Sequence, residues 1–451
     1  MKKTRFFAFL LTLSMLAAVL LPGSALAAEE TFAVKARNAL LVDADYGEVL
    51  FEQNAHDKAY PASITKVMTA LLVLEAVNSK LVDLDAVVTV PEAAMEGLAA
   101  DGSTQNIDPG EQMSVRNLLY CLMVASANEA ANILAIYVSG SVSAFVEQMN
   151  QRAQELGCTG THFTNPHGLH NDDHYTTAYD IYLMVQEALK DPLFQTIAGT
   201  KTYEVPATNL HDARKMTNTN RLISRAEYLY EPCTGVKTGS TGEAGLCLVS
   251  SATKDGRTLI AVVLGASSVK LENGNTELQQ FTESKRLLEH GFNDFSRKAI
   301  LNTATLIREV PVTLSNEAST VVVHPAENME RYLPNGVDPA DFRQLVQLDA
   351  ESVEAPVEKG QVMGSITISY EGEDLGTVDL VALNDVERSE FLYRQQQIKE
   401  FFGRTEVRIG AAALGALLLI VLLRSTVFRP QRRYGRSSGS RSSGYRGRRR
   451  K

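Results

Sequence analysis

An apolar helix is predicted by the stretch Pro61-Ala-Ser63-Ile-Thr-Lys66-Val-Met-Thr-Ala-Leu-Leu-Val-Leu-Glu-Ala76, which carries a hydroxyl and an amine three residues apart near its start. Residues three apart on a helix lie on one face, so we expect the Ser63 hydroxyl to adjoin the Lys66 amine. A serine becomes a strong nucleophile when a base takes its proton, and a lysine is such a base only when burial or nearby cations keep it neutral.

The same pair has a simpler interpretation, in which Ser63 is a helix cap and Lys66 a solvated charge. The spacing recurs at Ser251 and Lys254, in a predicted strand where residues three apart point to opposite faces. Short motifs of this kind match often by chance, so the spacing alone favours the simpler interpretation. Other parts of the chain have to decide between the two.

The charge of the chain is divided between its ends and its bulk. The 451 residues contain 44 Lys and Arg against 53 Asp and Glu, a formal net charge of −9. Fourteen of the basic residues lie in the first five residues and in 424–451, which leaves residues 28–423 with a formal charge of −23. A chain of this length has room for two or three domains. Its acidic bulk disfavours a nucleic-acid-binding role.

The N-terminus has the parts of a secretory signal peptide. A basic start precedes an apolar run over 6–21, and Ala25 and Ala27 form a small-residue cleavage site. We expect a signal peptide over 1–27. The alternative is an uncleaved anchor, since the apolar run is long for a signal peptide.

Residues 407–428 predict a transmembrane helix, and their core over 409–423 is uncharged. An arginine near each end can snorkel, which extends the usable span to the roughly 20 residues that a bilayer needs. The alternative, an amphipathic helix on the membrane surface, would need a polar face that this sequence lacks. The basic tail over 429–451 is expected to be disordered and cytoplasmic by the positive-inside rule. The sequence therefore predicts a cell-membrane protein whose acidic bulk is extracytoplasmic.

Between the two ends, residues 33–295 are expected to form a first domain. A predicted hairpin at 39–52 precedes several helices, and strands at 235–265, joined by short turns, predict an antiparallel meander. A helix over 276–291 is expected to close this domain.

Shorter strands separated by Gly, Asn, Asp and Pro then predict a small all-β domain over 297–383. Residues 384–406 are charged with scattered apolar positions, and we expect a helical stalk there.

A group of histidines and aspartates suggests a metal site at first sight: His167, His170, Asp172, Asp173 and His174. Pro166 and Gly168 break any helix there, so the geometry of a zinc-binding helix is not available. An ordinary polar loop is the preferred interpretation, and we expect neither a metal nor a cofactor.

The chain has four cysteines, at 121, 158, 233 and 247, and no Cys-x-x-Cys pair. Buried free thiols are the default expectation, although the sequence does not exclude disulfides.

Three short motifs occur in one order: Ser63-x-x-Lys66, Ser126-x-Asn128 and Lys237-Thr238-Gly239. With this set the chain resembles the low-molecular-mass penicillin-binding proteins, and most closely the serine-type D-alanyl-D-alanine carboxypeptidases. The resemblance extends to 165–169, 243–249 and 355–360 and covers nearly all of the expected extracytoplasmic part. It implies an α/β, β-lactamase/transpeptidase-like fold with an antiparallel sheet and a helical subdomain, followed by the small all-β domain and the transmembrane helix.

The resemblance also implies a reaction and its partners. The substrate would be a peptidoglycan stem peptide that ends in D-Ala-D-Ala, and β-lactam antibiotics would be covalent inhibitors. Ser63 would attack the carbonyl between the two D-alanines, Lys66 would take its proton, and Ser126 would relay a proton to the leaving amine. Asn128 would hydrogen-bond the substrate amide or Lys66.

The third motif would bind the other end of the substrate. Lys237 would supply positive potential near the terminal carboxylate, Thr238 would offer it a hydroxyl, and Gly239 would let the substrate backbone lie beside the strand. The backbone N–H groups of Ser63 and Ser240 would form the oxyanion hole.

The sequence departs from its relatives in two places. Many relatives have an arginine just before the closing helix that helps to bind the substrate carboxylate, and Gln280 stands at that position here. The second motif has Ala127 and Glu129 where Gly and Asp are common. Recognition of the carboxylate by a side-chain cation other than Lys237 is therefore in question.

Other functions of the same superfamily remain open on these residues. A β-lactamase would need a second carboxylate base, and no Glu-x-x-Leu-Asn segment lies between Asn128 and Lys237. A DD-endopeptidase that acts on cross-links could use the same residues. A non-catalytic wall-binding protein would not require the complete set of motif residues that this chain retains.

Overall fold

The computed structural model describes residues 32–427, in two compact units. The first unit runs to Lys298 and includes Tyr332–Val337, and the second comprises Ala299–Arg331 and the chain from Asp338 onward. The predicted signal peptide and the predicted cytoplasmic tail lie outside the described residues.

The strands have the following bounds: β1 Asn38–Asp43, β2 Glu48–Gln53, β3 Val87–Thr89, β4 Gln112–Ser114, β5 Thr202–Val205, β6 Arg214–Thr217, β7 Cys233–Thr241, β8 Gly245–Lys254, β9 Arg257–Ala266, β10 Ser268–Lys270, β11 Thr276–Leu278, β12 Phe295–Leu301, β13 Arg308–Thr313, β14 Thr320–Pro325, β15 Met329–Pro334, β16 Arg343–Leu348, β17 Val353–Glu354, β18 Val362–Tyr370 and β19 Glu373–Ala382. The helices are α1 Lys66–Asn78, α2 Val115–Val124, α3 Asn128–Ser139, α4 Val142–Glu155, α5 Ala178–Ala188, α6 Pro192–Ala198, α7 Arg221–Ser224, α8 Gln279–Asn293, α9 Glu390–Gly403 and α10 Thr405–Val427. Short 3-10 helices lie at Ala62–Thr65, Glu92–Met95 and Pro339–Asp341.

The first unit is built on a five-stranded sheet in the order β2-β1-β9-β8-β7, with every neighbouring pair antiparallel. The predicted hairpin and the predicted meander are both confirmed by this pairing. Alternate residues of β1 and β9 enter two different cores, because successive side chains of a strand point to opposite faces. Leu40 and Val262 pack with the helical part of the unit, whereas Leu41 and Val263 pack against Leu287 of α8.

The helix that carries the first motif lies inside the helical core. Most residues of α1 are buried, and the helix packs against α2, α3 and α5. A helix that is apolar all round is stable only when neighbours cover every face. Full burial of a Val or Leu side chain contributes about 1.5–3 kcal/mol, so this helix is held firmly.

The closing helix begins later than the sequence predicts. Thr276–Leu278 form β11, which pairs with β10, and α8 starts only at Gln279. The backbone hydrogen bonds to Ser268–Lys270 hold these residues extended, a long-range effect that local helical periodicity does not reveal.

The second unit contains a six-stranded sheet in the order β16-β18-β19-β14-β13-β17. Its core is made of Val, Ile, Leu, Met and Ala side chains from these strands and their connections. The all-β character predicted for this part of the chain is confirmed. Helices α9 and α10 follow, and by length and composition Thr405–Thr426 could cross a membrane.

Candidate active site

The Ser63 hydroxyl and the Lys66 amine lie side by side at the start of α1. Ser63 is in the short 3-10 helix Ala62–Thr65, and Lys66 Nζ lies 2.9 Å from Ser63 Oγ. The residue before the serine, Ala62, has a φ of 45°, in the left-handed region. A non-glycine residue held there costs about 1–3 kcal/mol and persists only where the surrounding structure imposes it.

Lys66 is fully buried, and its amine has two further partners. Nζ donates hydrogen bonds to Asn128 Oδ1 and to the His167 carbonyl, each at 2.7 Å. Burial lowers the pKa of Lys66 well below its usual value, and the positive charge of Lys237 lowers it further, while Glu129 opposes the shift. A neutral Lys66 amine is therefore favoured, which is the form that acts as a base.

The second motif lies between α2 and α3. Ser126 has a φ of 65° and is 4% exposed, and Asn128 begins α3. The Asn128 N–H donates to the Ser103 carbonyl at 2.9 Å, which fixes the motif to the preceding loop. The Asn128 side chain is thereby aimed at Lys66.

Glu129, the residue after Asn128, is held by the loop that precedes the second motif. Its Oε1 accepts hydrogen bonds from Thr104 Oγ1 at 2.7 Å and from the Gln105 N–H at 2.6 Å. The carboxylate is 3% exposed, so its negative charge acts on Lys66 with little screening by water.

The third motif lies on the edge strand β7. Lys237 is 1% exposed, its Nζ donates to the Thr238 carbonyl at 3.0 Å, and burial lowers its pKa to about 7. The Thr238 hydroxyl donates to Thr219 Oγ1 at 2.7 Å. Thr219 belongs to a segment that the sequence analysis did not select, although the polar run Asn218-Thr-Asn220 was a signal that could have pointed to it.

Gly239 lies against the start of the Ser63 helix. A Cβ atom on Gly239 would be 2.8 Å from the Pro61 carbonyl oxygen and 3.0 Å from the Ser63 nitrogen. The structure therefore adds a reason for glycine here: the strand passes too close to the nucleophile for a side chain to fit.

These side chains open onto one cleft of about 400 Å³, which Ser63, Ser126, Thr238, Gly239 and Ser240 line. Lys66, Asn128 and Lys237 do not line the cleft themselves. Lys66 contacts Ser63 and Asn128, and Lys237 contacts Thr238. The structure thus brings all eight residues selected from the sequence to one place. The cleft is also lined by Gln280 and by residues that the sequence did not point to: Ser103, Thr217, Asn218, Thr219, Arg221, Arg225, Leu278 and Phe281.

The histidine-containing loop supports the nucleophile from behind. Gly168 has a φ of 87°, and a Cβ there would overlap the Ala62 carbonyl oxygen. His174 Nδ1 accepts from the Thr164 N–H at 3.1 Å, so its Nε2 is the protonated nitrogen and donates to Thr65 Oγ1 at 2.8 Å. Burial lowers the pKa of His174 to about 3, which keeps the ring neutral.

Neither a metal-binding cluster nor a reactive thiol is found within the part of the chain that the structure describes. No group of three or more His, Cys, Asp or Glu side chains within residues 32–427 is arranged to hold a metal ion. All four cysteines are buried free thiols, and burial raises the pKa of Cys121 to about 12. Such thiols stay protonated and unreactive at neutral pH.

Two sequence families match the chain. The family described as D-alanyl-D-alanine carboxypeptidase matches residues 24–268, and the family described as penicillin-binding protein 5, C-terminal domain, matches residues 306–388.

Similar proteins are found among curated sequences and solved structures. The chain is 33% identical over 360 residues to the D-alanyl-D-alanine carboxypeptidase DacF of Bacillus subtilis, covering 79% of this chain and 87% of that protein. It is 32% identical over 378 residues to DacC of Escherichia coli, covering 82% of this chain and 90% of that protein. Penicillin-binding protein 5 from Haemophilus influenzae superposes with a TM-score of 0.61 at 30% identity, over 79% of this chain and 99% of that one. The Streptomyces K15 DD-transpeptidase superposes with a TM-score of 0.52 at 31% identity, over 58% of this chain and 98% of that one.

Proposed function

The chain belongs to the family of D-alanyl-D-alanine carboxypeptidases, and we propose that its acyl-enzyme forms on Ser63 with Lys66 as the base. It is a serine hydrolase that removes the terminal D-alanine from peptidoglycan stem peptides. The observation that carries the residue assignment is the 2.9 Å separation of Lys66 Nζ and Ser63 Oγ, in a place where Lys66 is fully buried.

The hydrogen bonds around Lys66 support proton transfer from Ser63 to Lys66. A neutral amine has two N–H groups and one lone pair. The Asn128 Oδ1 and the His167 carbonyl accept the two N–H groups, so the lone pair faces the Ser63 hydroxyl. As Ser63 Oγ bonds to the substrate carbonyl carbon, its proton passes to Lys66.

The rest of the acylation step uses groups on either side of the cleft. The N–H groups of Ser63 and Ser240 stabilise the oxyanion, a contribution of about 3–4 kcal/mol per donor in enzymes where one has been removed. The bond to the terminal D-alanine then breaks, and the leaving amine takes a proton by way of Ser126. In the second half of the reaction a water molecule, deprotonated by Lys66, attacks the acyl-enzyme and frees Ser63.

The third motif holds the carboxylate end of the substrate. Thr238 offers its hydroxyl, and Lys237 supplies positive potential from behind the strand. β-Lactams present a carboxylate and a strained amide to the same groups, so they acylate Ser63 as the substrate does. This is the basis on which the protein acts as a penicillin-binding protein.

The membrane arrangement is part of the proposal. A cleaved signal peptide over 1–27 and a transmembrane helix over 407–428 would place the catalytic domain, 33–295, outside the cytoplasmic membrane and the tail, 429–451, inside. The all-β domain over 297–383 and the stalk over 384–406 would connect the two. The exposed apolar helix α10 and the extracytoplasmic location of peptidoglycan support this arrangement. Protease added outside intact cells should digest the catalytic domain and spare an epitope on the tail; digestion of that epitope would reverse the topology.

The site assignment is tested by one mass spectrum of the penicillin-treated protein, in which the adduct should lie on Ser63. Ser63→Ala should abolish both the adduct and release of D-alanine from a pentapeptide that ends in D-Ala-D-Ala. Ser251→Ala, in the second Ser-x-x-Lys pair formed with Lys254, should keep both. Retained activity in Ser63→Ala would remove Ser63 from the nucleophile role.

The same preparation separates the related activities. Rapid turnover of penicillin in place of a stable adduct would favour a β-lactamase. Cleavage of cross-linked muropeptide dimers in preference to the pentapeptide would favour an endopeptidase.

A further inference from the structure

The active-site cleft holds a neutral side chain where many relatives have a carboxylate-binding arginine. Gln280, in the first turn of α8, is 6% exposed and lines the cleft with Ser63. Its Oε1 is buried and has no hydrogen-bond partner among residues 32–427. An amide can donate to a carboxylate, but it carries no charge to attract one.

Two arginines, Arg221 and Arg225, line the same cleft. Arg225, directly after α7, is exposed, and its guanidinium makes no hydrogen bond or ion pair within the described residues. Its backbone is fixed, because its N–H donates to the Arg221 carbonyl at 3.2 Å and its carbonyl accepts from Tyr228 at 3.1 Å. A fixed backbone with an unengaged guanidinium leaves all five N–H donors for a ligand.

The neighbouring arginine of the cleft is already engaged. Arg221 Nη1 donates to Glu227 Oε1 at 2.9 Å, and the guanidinium lies 5.8 Å from the ring centre of Tyr228. The ion pair occupies part of the Arg221 guanidinium and partly neutralises its charge. Of the two arginines, Arg225 is the one that is free to bind an anion.

Lys237 supplies only part of the charge that the substrate carboxylate requires. It is buried, one of its N–H groups is used on the Thr238 carbonyl, and its pKa is about 7. Burial therefore favours the uncharged form of Lys237. A permanently charged guanidinium would complete the site, since arginine stays protonated throughout this range.

We propose that Arg225, together with Gln280, binds the terminal carboxylate of the substrate, in the role that an arginine at position 280 has in relatives. This inference rests on the proposed acyl-enzyme at Ser63. The planar guanidinium can donate two parallel hydrogen bonds to the carboxylate, and the Gln280 amide, which lines the same cleft, can donate a third. Substrate recognition has thus moved from α8 to the end of α7.

The test compares two pentapeptides, one ending in a free D-Ala carboxylate and one in the D-Ala amide, with the full-length chain purified in detergent. Arg225→Gln should lower kcat/KM for the acid by about 10- to 100-fold, the range for a lost hydrogen bond to a charged group. The value for the amide should barely change, so the preference for the acid should collapse. Adding Gln280→Arg to Arg225→Gln should restore the preference, a rescue that a purely structural role of Arg225 would not produce.

Two controls keep the outcomes distinct. Arg221→Gln should retain the preference for the acid, because its guanidinium is already paired with Glu227; loss of the preference in that variant alone would move the role to Arg221 and overturn the assignment. Saturating penicillin is applied to every variant to measure labelling of Ser63. An Arg225→Gln protein that is labelled and keeps its preference for the acid overturns this inference only, whereas a wild-type protein that is not labelled at Ser63 overturns the site itself.

Discussion

The Ser63 nitrogen lies 3.0 Å from the position that a Cβ atom on Gly239 would occupy. The strand of the third motif and the helix of the first are therefore in direct backbone contact. Real Cβ atoms do not approach a backbone atom so closely without a shift, so any side chain at 239 must push β7 away from the nucleophile.

Gly239→Ala is expected to lower the rate of Ser63 acylation by at least about 100-fold, because displacement of an oxyanion donor costs that much in other enzymes. Gly242→Ala is the matched control, since a Cβ at Gly242 meets nothing within 4 Å. The measurement is the second-order rate of labelling by a fluorescent penicillin. Equal rates in the two variants would contradict the proposed contact.

The pH dependence of acylation should report the charges around Lys66. Because acylation requires neutral Lys66, the rate should fall as the pH drops through the pKa of Lys66. Lys237→Met removes a positive charge, which should raise that pKa and move the acidic limb to higher pH. Glu129→Gln removes a negative charge and should move the limb to lower pH.

The Glu129→Gln substitution is conservative, since both hydrogen bonds to the carboxylate end on Oε1, which a glutamine retains. Labelling rates are measured between acid and neutral pH. The pH at which the rate is half-maximal is compared between variants, and differences in the maximal rate are not used. A shift of both variants in the same direction would rule out this electrostatic account.

Thr219 is expected to act as a positioning residue for Thr238. Thr219→Val removes the acceptor of the Thr238 hydroxyl, and we expect KM for the pentapeptide to rise by about 3- to 10-fold with kcat little changed, as for one neutral hydrogen bond. Thr219→Ser keeps the acceptor and should behave as wild type. Steady-state release of D-alanine measures both constants, and identical behaviour of the two variants would exclude the role.

Gly168 and Gly157 should respond differently to alanine although both have positive φ, 87° and 81°. Gly157→Ala meets open space and should cost only the left-handed strain of about 1–2 kcal/mol. Gly168→Ala also overlaps Ala62, which should add about 1–3 kcal/mol of overpacking. Denaturant unfolding in detergent measures the difference, and equal losses of stability would show that the loop yields to the added methyl group.

Local patterns in the sequence predicted the parts of the fold that depend on neighbouring residues. The helical spacing of Ser63 and Lys66 follows from the apolar run after them, and the continuous apolar run in 258–265 predicted β9. Ser251 and Lys254 were expected to lie apart because they are three residues apart on a strand. Ser251 is buried in β8, while Lys254 is exposed at its end.

The sequence did not reveal contacts that depend on the path of the chain. The hydrogen-bond partner of Thr238 is Thr219, which lies just before α7, a helix of four residues with no clear periodicity. The sequence predicts that Gly239 leaves room for a substrate, and only the packed strand shows how close Pro61 lies. The late start of α8 likewise depends on the pairing of β10 and β11, which no local propensity specifies.

The burial of α1 restricts how resistance to β-lactams can evolve through this enzyme. Replacing a buried Leu or Met of α1 would cost about 2–5 kcal/mol, a large share of the 5–15 kcal/mol that holds a typical domain folded. Escape mutations are therefore expected to accumulate at exposed positions on the rim of the cleft, where a substitution costs little stability. The interior that protects the nucleophile thus also restricts which paths selection can follow.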